Sequence, residues 1–205
     1  MAKSNKSAVE KPEQREAILD AAFRCFALHG YRRTSLADIA GEAELSRPAL
    51  YYYFKNKDDV FRALSQRINV SVVAAVTKAA SEQHGDMEAR LYAVLEARVS
   101  WAFDLLHASE YGRELIDEKN RLCGKANAET NARFIGVIER IIERGVAERE
   151  IALSRLAMKP SEAAAFIVDC LGGVVGEEVV AEQAARQRLR VLTKMFVGSL
   201  QRAGR

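Results

Sequence analysis

Apolar residues along this chain recur every three or four positions and rarely alternate. Ile18, Ala22 and Phe26 make one row, and Leu19, Phe23 and Ala27 make another, so a helix with one apolar face is expected from about residue 13. Gly30 is a good place for it to stop. Thr34 and Ser35 can cap a short second helix whose Leu36, Ile39 and Ala40 face inward. Ser46 can cap a third helix running to about residue 54, and Pro48 sits in its first turn, where a missing N–H costs nothing. Asn56 can cap a fourth, whose early Asp58 and Asp59 suit the positive end of the helix dipole. Val60, Phe61, Leu64, Ile68 and Val72 then keep helical spacing.

The remaining two-thirds reads the same way. One helix is expected over 87–106 and a shorter, less regular one over 110–123. A strong one follows with Phe134, Val137, Ile138, Ile141 and Ile142 on one face, ending near Gly145. Ser161, after Pro160, can cap a helix to about residue 180. The last helix should span 184–201, with Leu189, Leu192, Phe196 and Leu200 in one row. No internal repeat, low-complexity tract or convincing strand interrupts this pattern. The expected architecture is all-α: a polar N-terminal arm over 1–12, a small helical unit over 13–56, and a larger helical domain over 57–205.

Composition narrows the function classes mainly by exclusion. The chain has 205 residues, 49% hydrophobic and 29% charged, which is ordinary for a globular protein. A net charge of +3 is too small to argue for nucleic-acid binding by itself, so any such case must rest on local clustering. Cys25, Cys123 and Cys170 are isolated, so neither a disulfide framework nor a zinc site is expected, and reduced thiols in the cytoplasm fit best. The N-terminal residues show no signal-peptide pattern, and no apolar run approaches the roughly 18 residues of a membrane span. No Gly-rich phosphate loop, GxSxG, HExxH or Cys-His pair points to an enzyme, and no cofactor or metal is expected.

The local clustering lies in "LSRPALYYYFKNKDDV", residues 45–60. Two short helices over 35–54, joined by a tight turn, with a polar and basic second helix, make a helix-turn-helix pattern. The second helix of such a pair enters the DNA major groove with its N-terminal residues near base edges. Ser46, Arg47 and Ala49 stand there: Ser and Arg can donate to bases or phosphates, and Ala can touch a thymine methyl. No acidic residue lies between Glu44 and Asp58, while Arg47, Lys55 and Lys57 are basic. Leu50 and Phe54, four apart, should pack inward, leaving Tyr51, Tyr52 and Tyr53 fanned round the rest of the helix. Their polar tips can reach phosphates. The alternative, core or dimer packing for all three, is disfavoured because three consecutive helical positions cannot face one core.

The segment "TSLADIAGEAELSRPALYYYFKNKDDVFRAL", preceded by "REAILDAAFRCFALHGYRRTS", resembles the N-terminal domain of TetR-family transcriptional regulators. The pair Gly30-Tyr31, Thr34-Ser35, Ile39-Ala40, Ser46 and the run from Leu50 to Lys57 fall in register with it. The resemblance implies DNA contacts from Thr34, Ser35, Ser46, Arg47, Pro48, Ala49, Tyr51, Tyr52, Tyr53 and Lys57, with Lys57 on a phosphate. Two positions depart from the family pattern. Glu44 stands where many relatives have glycine in the turn, and a left-handed non-glycine residue costs roughly 1 kcal/mol, so a slightly different turn is expected. Tyr53 stands where histidine is common, so the operator sequence cannot be carried over.

The resemblance further implies a homodimer through the last two helices, a palindromic DNA operator, and a small-molecule effector bound in the larger domain. The helices over 161–180 and 184–201 are compatible with this, since each is apolar on more than one side; Val191 and Met195 form a second row on the last one. A wholly intramolecular core would use the same residues. Candidate ligand-lining residues are Trp101, Phe103, His107, Tyr111, Phe134, Phe166 and Cys170. The expected function is that of a dimeric repressor released from its operator by an apolar or aromatic ligand. The alternatives are a TetR-like DNA-binding protein governed by a protein partner or by DNA architecture, and a purely structural helical bundle.

Overall fold

The structure is a computed structural model that describes residues 11–82, 85–175 and 182–201. These residues form eight α-helices: α1 (Pro12–Arg33), α2 (Leu36–Glu42), α3 (Arg47–Tyr53), α4 (Lys57–Glu82), α5 (Met87–Ala108), α6 (Gly112–Ala147), α7 (Pro160–Val175) and α8 (Glu182–Leu200). A single 3-10 turn covers Leu153–Arg155, and the one extended pairing among the described residues is a bridge between Ile151 and Gln201. The fold is all-α. None of the described helices is long and apolar enough to cross a membrane. Most of the expected arm, 1–10, and the expected end of the seventh helix near 180 lie outside the described residues.

The chain divides into two compact units, residues 1–67 with 108–124, and residues 68–107 with 125–205. The boundary expected after residue 56 therefore falls inside the first unit, which also takes in the start of α4 and of α6.

In the first unit α1 buries Ile18, Leu19, Ala22 and Phe26, the rows that the sequence pattern picks out. The rings of Phe26, Tyr31 and Phe61 pack together at 5.0–5.5 Å between centroids, tilted or edge-on, which suits the quadrupoles of aromatic rings. Gly30 breaks α1 with φ 78° and ψ 162°. Glycine is needed there twice over. The backbone is left-handed, and a Cβ would lie 2.7 Å from Glu114 Oε2 and 2.9 Å from Tyr111 Cδ1.

Helix α2 opens with a full capping box. Ser35 Oγ accepts from Asp38 N at 3.3 Å, and the Asp38 carboxylate accepts from Ser35 N at 2.8 Å. The Ser35 hydroxyl, which donates to the Asp38 carboxylate at 2.7 Å, and then the Ser35 N–H hold the Asp38 carboxyl below the usual carboxylate range. The helix closes with a Schellman arrangement: Leu45 N donates to Ala40 O at 2.8 Å and Glu44 N to Gly41 O at 3.1 Å. Glu44 takes the left-handed conformation, φ 54°. The turn is thus built in the usual way despite the missing glycine, because both closing hydrogen bonds are made and Ile39 and Ala40 are buried behind it.

The second unit has its own core. Leu91 and Leu95 of α5 join Ile138 and Ile142 of α6, Ile167 of α7, and Leu189 and Leu200 of α8. Arg90, 3% exposed, pairs with Glu148 and Glu150 and donates to Gly85 O at 2.8 Å, so its charge is matched where it is buried.

The helices expected over 110–123 and after it meet at a kink at Cys123 (φ −122°, ψ 19°), where the backbone leaves the helical conformation within the 36-residue span of α6. The buried positions before the kink, Leu115 and Glu118, lie on a different face from Phe134, Ile138 and Ile141 after it. The apolar phase therefore changes at the kink. Ser161 is not the cap of α7, which starts at Pro160; the Glu162 carboxylate instead accepts from Lys159 N at 2.8 Å.

Replacing Glu44 by glycine is expected to stabilise the protein by about 0.5–1 kcal/mol, the relief of left-handed strain less the greater freedom of glycine in the unfolded chain. Urea unfolding followed by circular dichroism checks this; a loss of stability would contradict it.

Candidate nucleic-acid interface

Helix α3 is seven residues long and is set in place at both ends. Ser46 caps it, accepting from Ala49 N at 3.4 Å, with Pro48 in the first turn. Leu50 is fully buried and Phe54 is 4% exposed, so these two anchor the helix. The guanidinium of Arg15 lies over the Phe54 ring at 5.3 Å. With that face fixed, Tyr51 and Tyr52 turn outward, 55% and 48% exposed. Tyr53 is half-buried and packs edge-on against Tyr52, with 5.3 Å between centroids.

Arg47 and Pro48 are exposed at the N-terminal end of α3, and Ala49 is half-buried. Ser35, Arg47 and Tyr51 meet at a notch of about 220 Å³ whose floor includes Leu36, Ala37 and Leu50. The face carries basic and hydroxyl groups. Several nearby acidic groups are already engaged: Glu42 by Arg24 at 2.6 Å, Asp38 in its capping box, and Asp58 by Tyr31 and by Arg62 at 3.7 Å, while Glu44 in the turn is exposed. What remains outward is a cationic, aromatic and hydroxyl-rich surface suited to phosphates and base edges.

Two of the residues that the resemblance places on DNA are turned inward. Thr34 is 2% exposed, and its hydroxyl donates to Gly30 O at 2.7 Å, with Cys25 O at 3.2 Å. It is spent on closing the end of α1, so its side chain does not reach the surface. Lys57 is half-buried. Its ammonium donates to the carbonyl oxygens of Tyr31 (2.7 Å), Thr34 (2.9 Å) and Arg32 (3.3 Å), and lies 4.3 Å from the Tyr31 ring centroid. A phosphate would have to share that ammonium with three carbonyls. Burial pushes the Lys57 pKa down, while Asp58, Glu118 and Glu114 pull it back up. The Tyr31 hydroxyl donates to Asp58, and burial together with that hydrogen bond pushes its pKa above the usual phenol range.

The first turns of α6 complete this clasp, and the sequence gives no local sign of it. Glu114 accepts from Arg32 N at 2.8 Å, and Tyr111 lies under the Arg33 guanidinium at 5.0 Å and accepts from it at 3.1 Å. Tyr111 therefore belongs to the first unit. Among the other ligand-lining candidates, Phe103 and Phe134 are buried, Trp101 and Cys170 are half-buried, and the side chain of His107 lies outside the described residues. Phe166 is 55% exposed on α7 and faces away from the core, because the buried Ala163, Ala164 and Ile167 claim the inner face.

The model of bacterial regulatory proteins of the tetR family matches residues 18–64, the stretch that builds α1 to α4 around this surface. That N-terminal segment is a domain of the TetR family. The regulator AcrR of Shigella flexneri is 43% identical over 58 residues, which span 28% of this chain and 27% of AcrR, little more than a quarter of that relative. The repressor BepR of Brucella suis biovar 1 is 28% identical over 184 residues, 85% of this chain and 84% of BepR. The crystal structure of SmeT, the repressor of the Stenotrophomonas maltophilia multidrug efflux pump SmeDEF, matches with a TM-score of 0.65 at 25% identity, over 93% of this chain and 91% of SmeT. These relatives are transcriptional regulators. No group of three or more potential metal ligands gathers among the described residues.

Two substitutions separate the clasp from the surface of this TetR-family domain. Lys57→Met should lower the unfolding free energy by about 1–3 kcal/mol, because three partly buried carbonyls lose a charged donor. Arg47→Met, at an exposed position, should change it by less than about 0.5 kcal/mol. Equal effects in urea titrations would contradict the assignment.

Proposed function

We propose that the protein is a dimeric, sequence-specific DNA-binding repressor, acting in the bacterial cytoplasm and released from a palindromic or near-palindromic operator by a small molecule. The observation that carries the reading is the geometry of α3. Leu50 and Phe54 are buried, and Arg47, Pro48, Tyr51 and Tyr52 are thereby presented outward from its N-terminal end. Ser35, Ser46, Ala49 and Tyr53 flank the same face. Arg47 is the residue for base or phosphate recognition, and the tyrosine hydroxyls are phosphate donors.

Dimerisation is supported by apolar surface on the last two helices. Phe166 of α7 is 55% exposed, and Val191 and Met195 of α8 are 46% and 68% exposed. Val191 and Met195 are four residues apart, opposite the inner row of Leu189, Phe196 and Leu200. A helix pair that is apolar outside as well as inside is suited to a second copy of itself. Such a dimer would set two α3 helices about 34–36 Å apart on successive major grooves.

Ligand control is supported by Trp101, Phe103 and Phe134 in the second unit, and by the buried Asn69 of α4, whose amide nitrogen has no hydrogen-bond partner among the described residues. SmeT, of similar fold, forms a complex with triclosan. A ligand that favours one conformation over the other by about 1–3 kcal/mol changes operator affinity 5–150-fold.

Selection of bound sequences from a random DNA pool is expected to return a two-fold-related site. On that site Arg47→Ala should weaken binding and reduce the steepness of its salt dependence by about one unit per lost phosphate contact, or relax the base preference if the contact is to a base. Failure to enrich any sequence would overturn the DNA-binding reading. Release of the operator by no small molecule, with binding intact, would favour control by a protein partner or by DNA architecture. Separately, Phe166→Glu combined with Met195→Glu should give a monomer by light scattering and a large loss of operator affinity. A persisting dimer would move the interface elsewhere.

A further inference from the structure

Partly buried arginines in the second unit meet carboxylates: Arg90 meets Glu148 and Glu150, and Arg186 meets Glu96 and Glu182. Arg98 of α5 is different. It is half-buried, its guanidinium donates to Asn131 Oδ1 at 3.3 Å and lies 5.7 Å from the centroid of the Phe134 ring, and no carboxylate among the described residues pairs with it. Burial pushes its pKa below the usual guanidinium value, with no neighbouring charge to offset that. Beside it is a cavity of about 200 Å³, walled by Val99, Phe134, Val168 and Leu171 and edged by Arg98 and Asn131.

The chemistry of that cavity is two-sided. Four apolar side chains, one of them aromatic, suit a hydrocarbon or aryl body. A half-buried guanidinium with no carboxylate partner among the described residues suits an anion, and its planar fork matches a carboxylate through two parallel hydrogen bonds. The Asn131 amide, already on Arg98, can donate to the same group. The volume lies below the roughly 300–1,000 Å³ of sites for drug-sized ligands, so the occupant is small.

We propose that this cavity is a ligand subsite in which Arg98 takes the carboxylate of a small aryl or alkyl organic acid, while Phe134 and its apolar neighbours take the body. The proposal rests on the reading of the second unit as ligand-binding. It narrows the ligand from an apolar or aromatic molecule to one with an anionic head.

The test is titration calorimetry on the full chain with 4-phenylbutyrate and benzoate, each against its neutral amide. The wild-type protein should bind at least one acid roughly tenfold or more tightly than the matching amide, as expected for a charge-assisted hydrogen-bonded pair. Arg98→Met should remove that preference without changing amide binding, and Arg98→Lys should retain part of it. Equal affinity for acid and amide, an acid preference that survives in Arg98→Met, or no binding of either acid at about 10 mM, a concentration far weaker than specific small-ligand affinities, would overturn the proposal. The wild-type ratio decides even if a variant fails to fold. Operator release, followed in parallel by fluorescence anisotropy, separates the two readings. An acid that binds through Arg98 but leaves the operator bound supports this subsite and sinks the inducer role. An amide that binds and releases the operator as well as its acid supports the inducer role and sinks this subsite.

Discussion

A helix of seven residues has almost no stability of its own in water, so α3 exists only because something else holds it. That something is the burial of Leu50 and Phe54 against the first unit, helped by the Ser46 cap. Burying two large side chains contributes a few kcal/mol, more than the isolated helix lacks. The constraint also fixes rotation about the helix axis. Once Leu50 and Phe54 point inward, the rise and twist of an α-helix leave Tyr51 and Tyr52 no choice but the outer face. The outward surface of α3 is thus the reverse side of a packing requirement.

The same economy governs the end of α1. A helix leaves its last carbonyls without partners, and Gly30 adds a sharp change of direction. Lys57 meets three of the carbonyls at that end, Thr34 meets another, and the first turns of α6 supply Glu114 and Tyr111. Residues that could have been surface contacts are therefore structural, because free carbonyls beside an aromatic cluster would be costly to leave unpaired. Positive charge remains on the outer face, at Arg47 and Lys55, where no backbone group competes for it.

In the second unit, the distribution of satisfied and unsatisfied groups separates scaffold from surface. Arg90 is deep, and its charge is matched by two carboxylates, as suits a scaffold residue. Arg98 is shallower, sits at a cavity, and meets an amide and an aromatic ring but no carboxylate among the described residues. Helices α7 and α8 likewise divide into an inner face that fills the core and an outer face with Phe166, Val191 and Met195 left in solvent. Large apolar groups on adjacent helices are the feature that an association surface would share.

The sequence alone determined the all-α class, the caps at Ser35, Ser46 and Asn56, the break at Gly30, and the inward rows of α1, α3 and α8. These are local properties: a cap acts over three residues and an apolar row over one or two turns, so both are legible in a short window. It also marked Leu50 and Phe54 as anchors and left the three tyrosines round the rest of the helix, without telling which of them face out. Only the tertiary structure decided the rest. Lys57 meets carbonyls more than twenty residues away, Glu114 reaches Arg32 across eighty-two positions, and Arg98 finds Asn131 rather than a carboxylate. No periodicity carries such information, since each outcome depends on which distant groups come within about 3–4 Å once the chain has folded.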